Sequence, residues 1–141
     1  YPDAVHPELV GSYPAVQFAG GGYVWDEVLE YRVWCSPADG AEDLADGDDY
    51  YYAFASADDA IAAAHQMGGS SEPLALILQR EYLDEPTPGH FVHVRTERTT
   101  EWPLEFLSRP RRTADTIPRF FAARSPDEGL AVIRGLTAPD G

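Results

Sequence analysis

From Leu29 to Cys35 the chain alternates, with Leu29, Tyr31, Val33 and Cys35 on one side and Glu30, Arg32 and Trp34 on the other. A period of two matches a pleated strand and cannot make one face of an α-helix, so this stretch needs strand neighbours and a cover for its apolar side. The neighbours are supplied further along the chain. Tyr50 to Ala55 reads as a short aromatic second strand. Leu74 to Tyr82 reads as a third, apolar on both faces at its start and so central. After the turn formers Asp84 to Gly89, His90 to Arg98 reads as a fourth, with Val92, Val94 and Thr96 opposite Phe91, His93, Arg95 and Glu97.

Helix signals interrupt and follow these strands. Ser56, three residues before Asp59, can accept from free N–H groups at a helix start, and Gly68-Gly69 closes that helix. Thr100-Glu101-Trp102-Pro103 is read as opening a short helix through Leu107, since proline is tolerated in a first turn. Thr113 is read as capping Ala114 to Ala123. Ser125-Pro126-Asp127-Glu128 combines a Ser cap, proline at the first helical position and Glu at the third, and predicts a helix to about Gly135. The expected fold is α+β: a mixed four-stranded sheet in β-β-α-β-β-α-α order, with helices packed on the sheet. A right-handed helical crossover would set the second and third strands parallel.

Residues 1–22 carry Pro2, Pro7, Pro14 and Gly20-Gly21-Gly22 without a sustained period, the mark of an extended arm. Its apolar side chains, Tyr13 and Phe18 among them, suit packing on its own domain or on a partner. A single domain over residues 23–136 and a tail over 137–141 complete the division.

Charge narrows the functions. The 141 residues hold 24 acidic and 10 basic side chains, a net of -14, and every basic residue is arginine. Affinity for a phosphate backbone comes from counterion release by Lys and Arg, so neither nucleic acid nor an anionic membrane is an expected partner. The absence of lysine excludes Schiff-base chemistry. One cysteine allows no internal disulfide, no apolar run approaches a bilayer's thickness, and no signal-peptide order is seen, so a cytoplasmic protein without membrane insertion is expected. The acids are unevenly placed. Residues 1–79 carry fourteen acids and one arginine, whereas 80–141 carry ten acids and nine arginines. A chain polarised in this way is suited to a basic protein partner or to head-to-tail self-association.

Candidate sites follow from these patterns. Asp43, Asp46, Asp48 and Asp49, in a loop rich in carboxylates, could supply oxygens to a hard cation, though the spacing is not that of an EF-hand; the same loop reads equally as a solvated acidic turn. Arg109, Arg111 and Arg112, with Thr113 at a helix start, could form an anion site for a phosphate, a nucleotide or a partner's carboxylates, or could pair with this chain's own acids. His93 could act as an acid or base beside Arg95, or be an ordinary strand histidine. Cys35, in line with apolar neighbours, reads as structural. Trp25, Trp34 and Trp102, with Tyr13 and Phe18 from the arm, are candidate interface anchors, and the Tyr50-Tyr51-Tyr52 run could line a pocket.

Four stretches resemble an uncharacterised family of small bacterial proteins associated with alphaproteobacteria: Val24-Trp25-Asp26 through Trp34-Cys35, Asp48 through Ala55, Glu72-Pro73-Leu74 through Glu81-Tyr82, and Thr100-Glu101-Trp102-Pro103 through Ala114-Asp115. Members are sometimes labelled GCN5-like acetyltransferases, and the resemblance therefore implies acetyl-CoA as a cofactor. The chain departs from that superfamily's pattern in lacking its Q/R-x-x-G-x-G/A pyrophosphate loop, and no catalytic residue carries over. Two readings result. The first is a non-catalytic binding or accessory module that needs no cofactor and contacts a protein through its arm and aromatic surface. The second is a small acyltransferase or other coenzyme-phosphate-binding enzyme, with the three arginines on the phosphates and His93 as base.

Overall fold

A computed structural model describes residues 1–16 and 20–135; Phe18 and the 137–141 tail lie outside the described residues. Six strands and three helices follow one another as β1 (Glu27–Cys35), β2 (Tyr50–Phe54), α1 (Ala57–Gln66), β3 (Leu74–Gln79), β4 (Tyr82–Thr87), β5 (His90–Val94), β6 (Arg98–Pro103), α2 (Thr116–Ala122) and α3 (Pro126–Ile133). The class is α+β. The main sheet has four strands in the order β2-β1-β3-β6, and β4 and β5 form a separate hairpin.

The sheet differs from expectation in its pairing. All its ladders are antiparallel, because β1 lies between β2 and β3. The helical crossover does leave β2 and β3 running the same way, but they are not neighbours. The fourth strand is β6 rather than His90 to Arg98, which splits between the hairpin and β6. Thr100 to Pro103 is therefore strand, not helix, and only Leu104–Ser108 turns, as a 3-10 segment. Thr99 and Thr100 favour a pleated surface, and Pro103 stands at the strand's last position, where the loss of its N–H harms the ladder least. The cap signals at the other two helices hold: Ser56 accepts from the Asp59 N–H at 3.2 Å and Ser125 from the Glu128 N–H at 3.2 Å. Thr113 does not cap α2. Its N–H donates to the Thr116 hydroxyl, and Asp115 occupies the cap position without a side-chain bond.

One sheet face forms the main core, in which Tyr31, Val33, Ala75, Ile77 and Trp102 pack against Ala57 and Ala60 of α1. A bulge between Val28 and Glu30 puts Val28, not Leu29, on this face. A second, smaller core joins Leu83 of the hairpin to Ile117, Phe120 and Ile133 of the helical pair. Gly129 is required there, since a Cβ would lie 2.6 Å from the Phe120 ring.

The opposite face of β1 is also closed, and the arm closes it. It enters at the sheet's edge, where the Ala4 N–H donates to Ala55 O at 2.7 Å and the Val5 N–H to Val28 O at 2.9 Å, and then crosses the face, where the Gly11 N–H donates to Glu30 Oε1 at 2.9 Å. Beyond residue 19, Gly20 N–H reaches Glu101 O, and Gly21 O accepts from the Trp102 indole at 2.8 Å. Gly22, at φ +85°, has no space for a side chain: a Cβ would sit 2.1 Å from Gln79 Nε2. Of the two roles open to the arm, its described residues take packing on their own domain.

Candidate functional site

Beneath the arm lies a buried ionic cluster. Arg32 donates from Nε to Glu30 Oε2 at 2.7 Å and from Nη2 to Pro14 O at 2.7 Å, while Nη1 faces Glu101 Oε2 at 3.6 Å with no hydrogen-bond acceptor among the described residues. Glu101 also accepts from the Trp34 indole at 2.6 Å, and the Tyr51 ring lies against the guanidinium at 4.3 Å. These groups meet because Glu30, Leu76 and Glu101 are aligned across three strands. Glu30, Arg32 and Tyr51 bind the arm's main chain, and the cluster is closed to solvent at Arg32.

The arginine trio is also engaged internally. Arg112 bonds Asp26 through Nε at 2.9 Å and Nη2 at 2.8 Å, and reaches Glu81 Oε2 at 3.1 Å. The Asp26 bonds hold its guanidinium above the ordinary arginine value. Arg111 faces Glu27 at 3.8 Å and lies over the Trp25 ring. Arg109 stacks on Trp102 and Phe106 and donates to Tyr23 O; burial pushes its guanidinium down. The three arginines of the expected anion site at Arg109, Arg111, Arg112 and Thr113 are thus engaged by this chain's own acids, π-faces and carbonyls, and the Thr113 hydroxyl accepts from the Asp115 N–H just before α2.

Two sequence candidates do come together. His93 Nε2 lies 2.6 Å from Glu81 Oε1, so a chain of contacts runs Asp26–Arg112–Glu81–His93. Asp26 is 3% exposed and also accepts the Arg80 N–H, which anchors the chain at its inner end. At the outer end His93 stacks on Phe121, which helps to line a cleft of about 240 Å³ with Gly89, Phe91, Phe120, Arg124 and Ser125. Sequence reading missed Asp26 and Glu81 because neither has a motif: Asp26 and Arg112 stand 86 positions apart. The alternation of β5 alone indicated that Phe91 and His93 share a face.

The interface candidates divide. Trp25 and Trp102 are core residues, 5% and 0% exposed, and present no surface to a partner. Trp34 is half-buried over Tyr51, and Tyr13 offers its carbonyl to the Tyr51 hydroxyl at 2.9 Å. The acidic loop faces outward: Asp39, Glu42, Asp43, Asp46, Asp48 and Asp49 are all exposed, and none joins an ion pair among the described residues. Asp43 bonds the Gly47 N–H instead. Asp43, Asp46, Asp48 and Asp49 do not converge, and no group of three metal-ligating side chains is present among the described residues. Leu44 and Tyr52, 55% and 42% exposed, stand beside the carboxylates. Burial pushes the Cys35 thiol up, as expected of a structural cysteine.

Burial also makes the fold's stability depend on alkaline pH through its tyrosines. Tyr23 is pushed from 10.0 up to about 12, chiefly by desolvation and then by its hydrogen bond to Glu85; Tyr31 moves in the same direction, again chiefly by desolvation. A folded state that resists ionisation keeps this stabilisation below the ordinary tyrosine value and loses it as pH rises through about 12. Urea midpoints should therefore fall across that window, and Tyr23→Phe should flatten the fall. A midpoint independent of pH there would contradict the burial of both phenols.

No protein-family model, no curated protein and no solved structure matches this chain. Among the described residues, no helix is long and apolar enough to cross a membrane.

Proposed function

We propose that the protein is a non-catalytic binding module that docks a basic protein surface through its acidic loop and the adjoining edge of the sheet. One observation carries this reading: the six loop carboxylates stay exposed and outside any described ion pair, while Arg32, Arg109 and Arg112 are engaged within the fold and Arg111 faces Glu27 at its surface. Uncompensated charge of one sign steers an oppositely charged partner and rejects anionic ones. Exposed Leu44 and Tyr52 add apolar contact within the charged rim. The arm and the buried tryptophans have no part in this surface.

The test uses a partner recovered by cross-linking in the source cells and then titrated, purified, against this protein. Asp43→Asn, Asp46→Asn, Asp48→Asn and Asp49→Asn together should weaken binding by about tenfold or more, and high salt should weaken the native complex in the same direction. An affinity unchanged by that variant would reject the reading.

A second reading, a small coenzyme-binding enzyme of acyltransferase type, has one observation in its favour, the joining of His93 to Arg112 through Glu81 beside the phenylalanine cleft. It requires a coenzyme phosphate to draw Arg112 away from Asp26. A saturable rise in melting temperature with acetyl-CoA or ATP, lost in Arg112→Gln, would favour it over the first.

A further inference from the structure

The main sheet ends at β2, and the pairing of β1 fixes which backbone groups that edge presents. Trp34 O accepts from the Ser71 N–H at 2.8 Å and the Ser36 N–H donates to Gly69 O at 3.0 Å, so the main chain of residues 34 and 36 points toward β3. Tyr31, Val33 and Cys35 therefore turn their backbone groups toward β2, where they stand opposite Phe54, Tyr52 and Tyr50. Tyr51, Ala53 and Ala55 are left facing outward. Ala55 O is already taken by the Ala4 N–H of the arm at 2.7 Å, which shows that this edge accepts a main-chain partner. The next two outward positions, Ala53 and Tyr51, have no backbone partner among the described residues.

An open edge is a template for another strand, and its surroundings select which one. Asp48 and Asp49 precede β2 and Asp58 and Asp59 follow it, all exposed. An acidic strand would meet carboxylates at both ends. Beside the edge lies a hollow of about 260 Å³ lined by Cys35, Glu42, Tyr50, Tyr52, Met67 and Gly68. Its walls combine the rings of Tyr50 and Tyr52 and the Met67 side chain with polar groups, and Glu42 is its acidic member, a combination that suits the long methylene stem and cationic head of lysine or arginine.

We propose that the basic partner adds a strand to the free edge of β2, pairing with the main chain of Tyr51 and Ala53 and seating a lysine or arginine in the hollow at Glu42. This rests on the acidic-surface reading above and specifies its mode. The probe is a short end-capped peptide of alternating lysine and valine, compared with the same peptide N-methylated at alternate residues so that it keeps its charge but cannot complete a ladder. The unmethylated peptide should slow amide exchange at Tyr51 and Ala53 in the intact protein. N-methylation should weaken binding by about tenfold or more, the worth of one or two lost hydrogen bonds. Ala53→Pro, which removes one outward donor, should do the same with the circular dichroism unchanged; should that variant misfold, the two peptides still decide the matter on the native chain. Equal binding of both peptides would overturn strand addition and leave the charged surface standing. Failure of the lysine-valine peptide to bind at low salt would also overturn it. Protection of the same two amides in the protein alone, rising with its concentration, would overturn it in favour of a second copy on this edge. The acidic-surface reading fails separately, only if the fourfold asparagine variant keeps its partner.

Discussion

Replacing Arg32 with methionine is expected to cost about 3–5 kcal/mol, because it strands two buried carboxylates without their cation. For a chain of this size that corresponds to a drop of roughly 10–20 °C in melting temperature. Arg32 is 0% exposed and Glu101 6%, so solvent cannot screen what is left behind. The loss should reach the arm as well, since Arg32 holds Pro14 O and Glu30 holds the Gly11 N–H. Faster amide exchange at Gly11 than at Ile77 in the variant would register that release. Replacing the triad together, as Glu30→Leu, Arg32→Met and Glu101→Leu, should return part of the stability, because no charge is then left buried. Recovery would be incomplete: the Trp34 indole and the Gly11 N–H lose their acceptors. A single variant that melts within a degree or two of the native protein would contradict the shared burial of these groups.

Trp102→Ala should cost about 3–5 kcal/mol in urea denaturation, the usual loss for a large aromatic removed from a core. The side chain is fully buried, donates to Gly21 O, meets Phe106 edge-on and supports Arg109. Tyr52→Ala, at the proposed contact edge, should change stability by only about 0.5 kcal/mol. The contrast separates two aromatics that look alike in sequence. If Trp102→Ala were as mild as Tyr52→Ala, the tryptophan would not be part of the main core.

Trp102 looks exposed in sequence because its surroundings read as a helix start. Its neighbours Thr100, Glu101 and Pro103 satisfy the first turn of a helix, and a four-residue signal is easily outweighed by six registered pairs with β3. The Ser56 and Ser125 caps survived because each bond they make spans three residues and needs nothing from the rest of the fold. The internal partners of the arginine trio are hidden from the sequence for the opposite reason. The acids that engage Arg112 and Arg111 come from Asp26, Glu27 and Glu81, brought beside them by the sheet. Such internal pairing is open to any arginine beside abundant acids, but the sequence does not name the partners.

The period-two alternation of β1, the Ser-capped helices and the concentration of acids before residue 80 are properties of neighbouring residues or of simple counting, and they were determined by sequence alone. What only the tertiary structure decided is which of those features meets solvent. Glu30 and Arg32 look like the wet side of a strand until the arm crosses them, and the loop from Asp39 to Asp49 is a surface of uncompensated charge because, among the described residues, no arginine folds back to pair with it, Arg32, Arg111 and Arg112 being engaged elsewhere. Burial and charge pairing depend on segments far apart in the chain, so a local pattern can specify an element without specifying what will cover it.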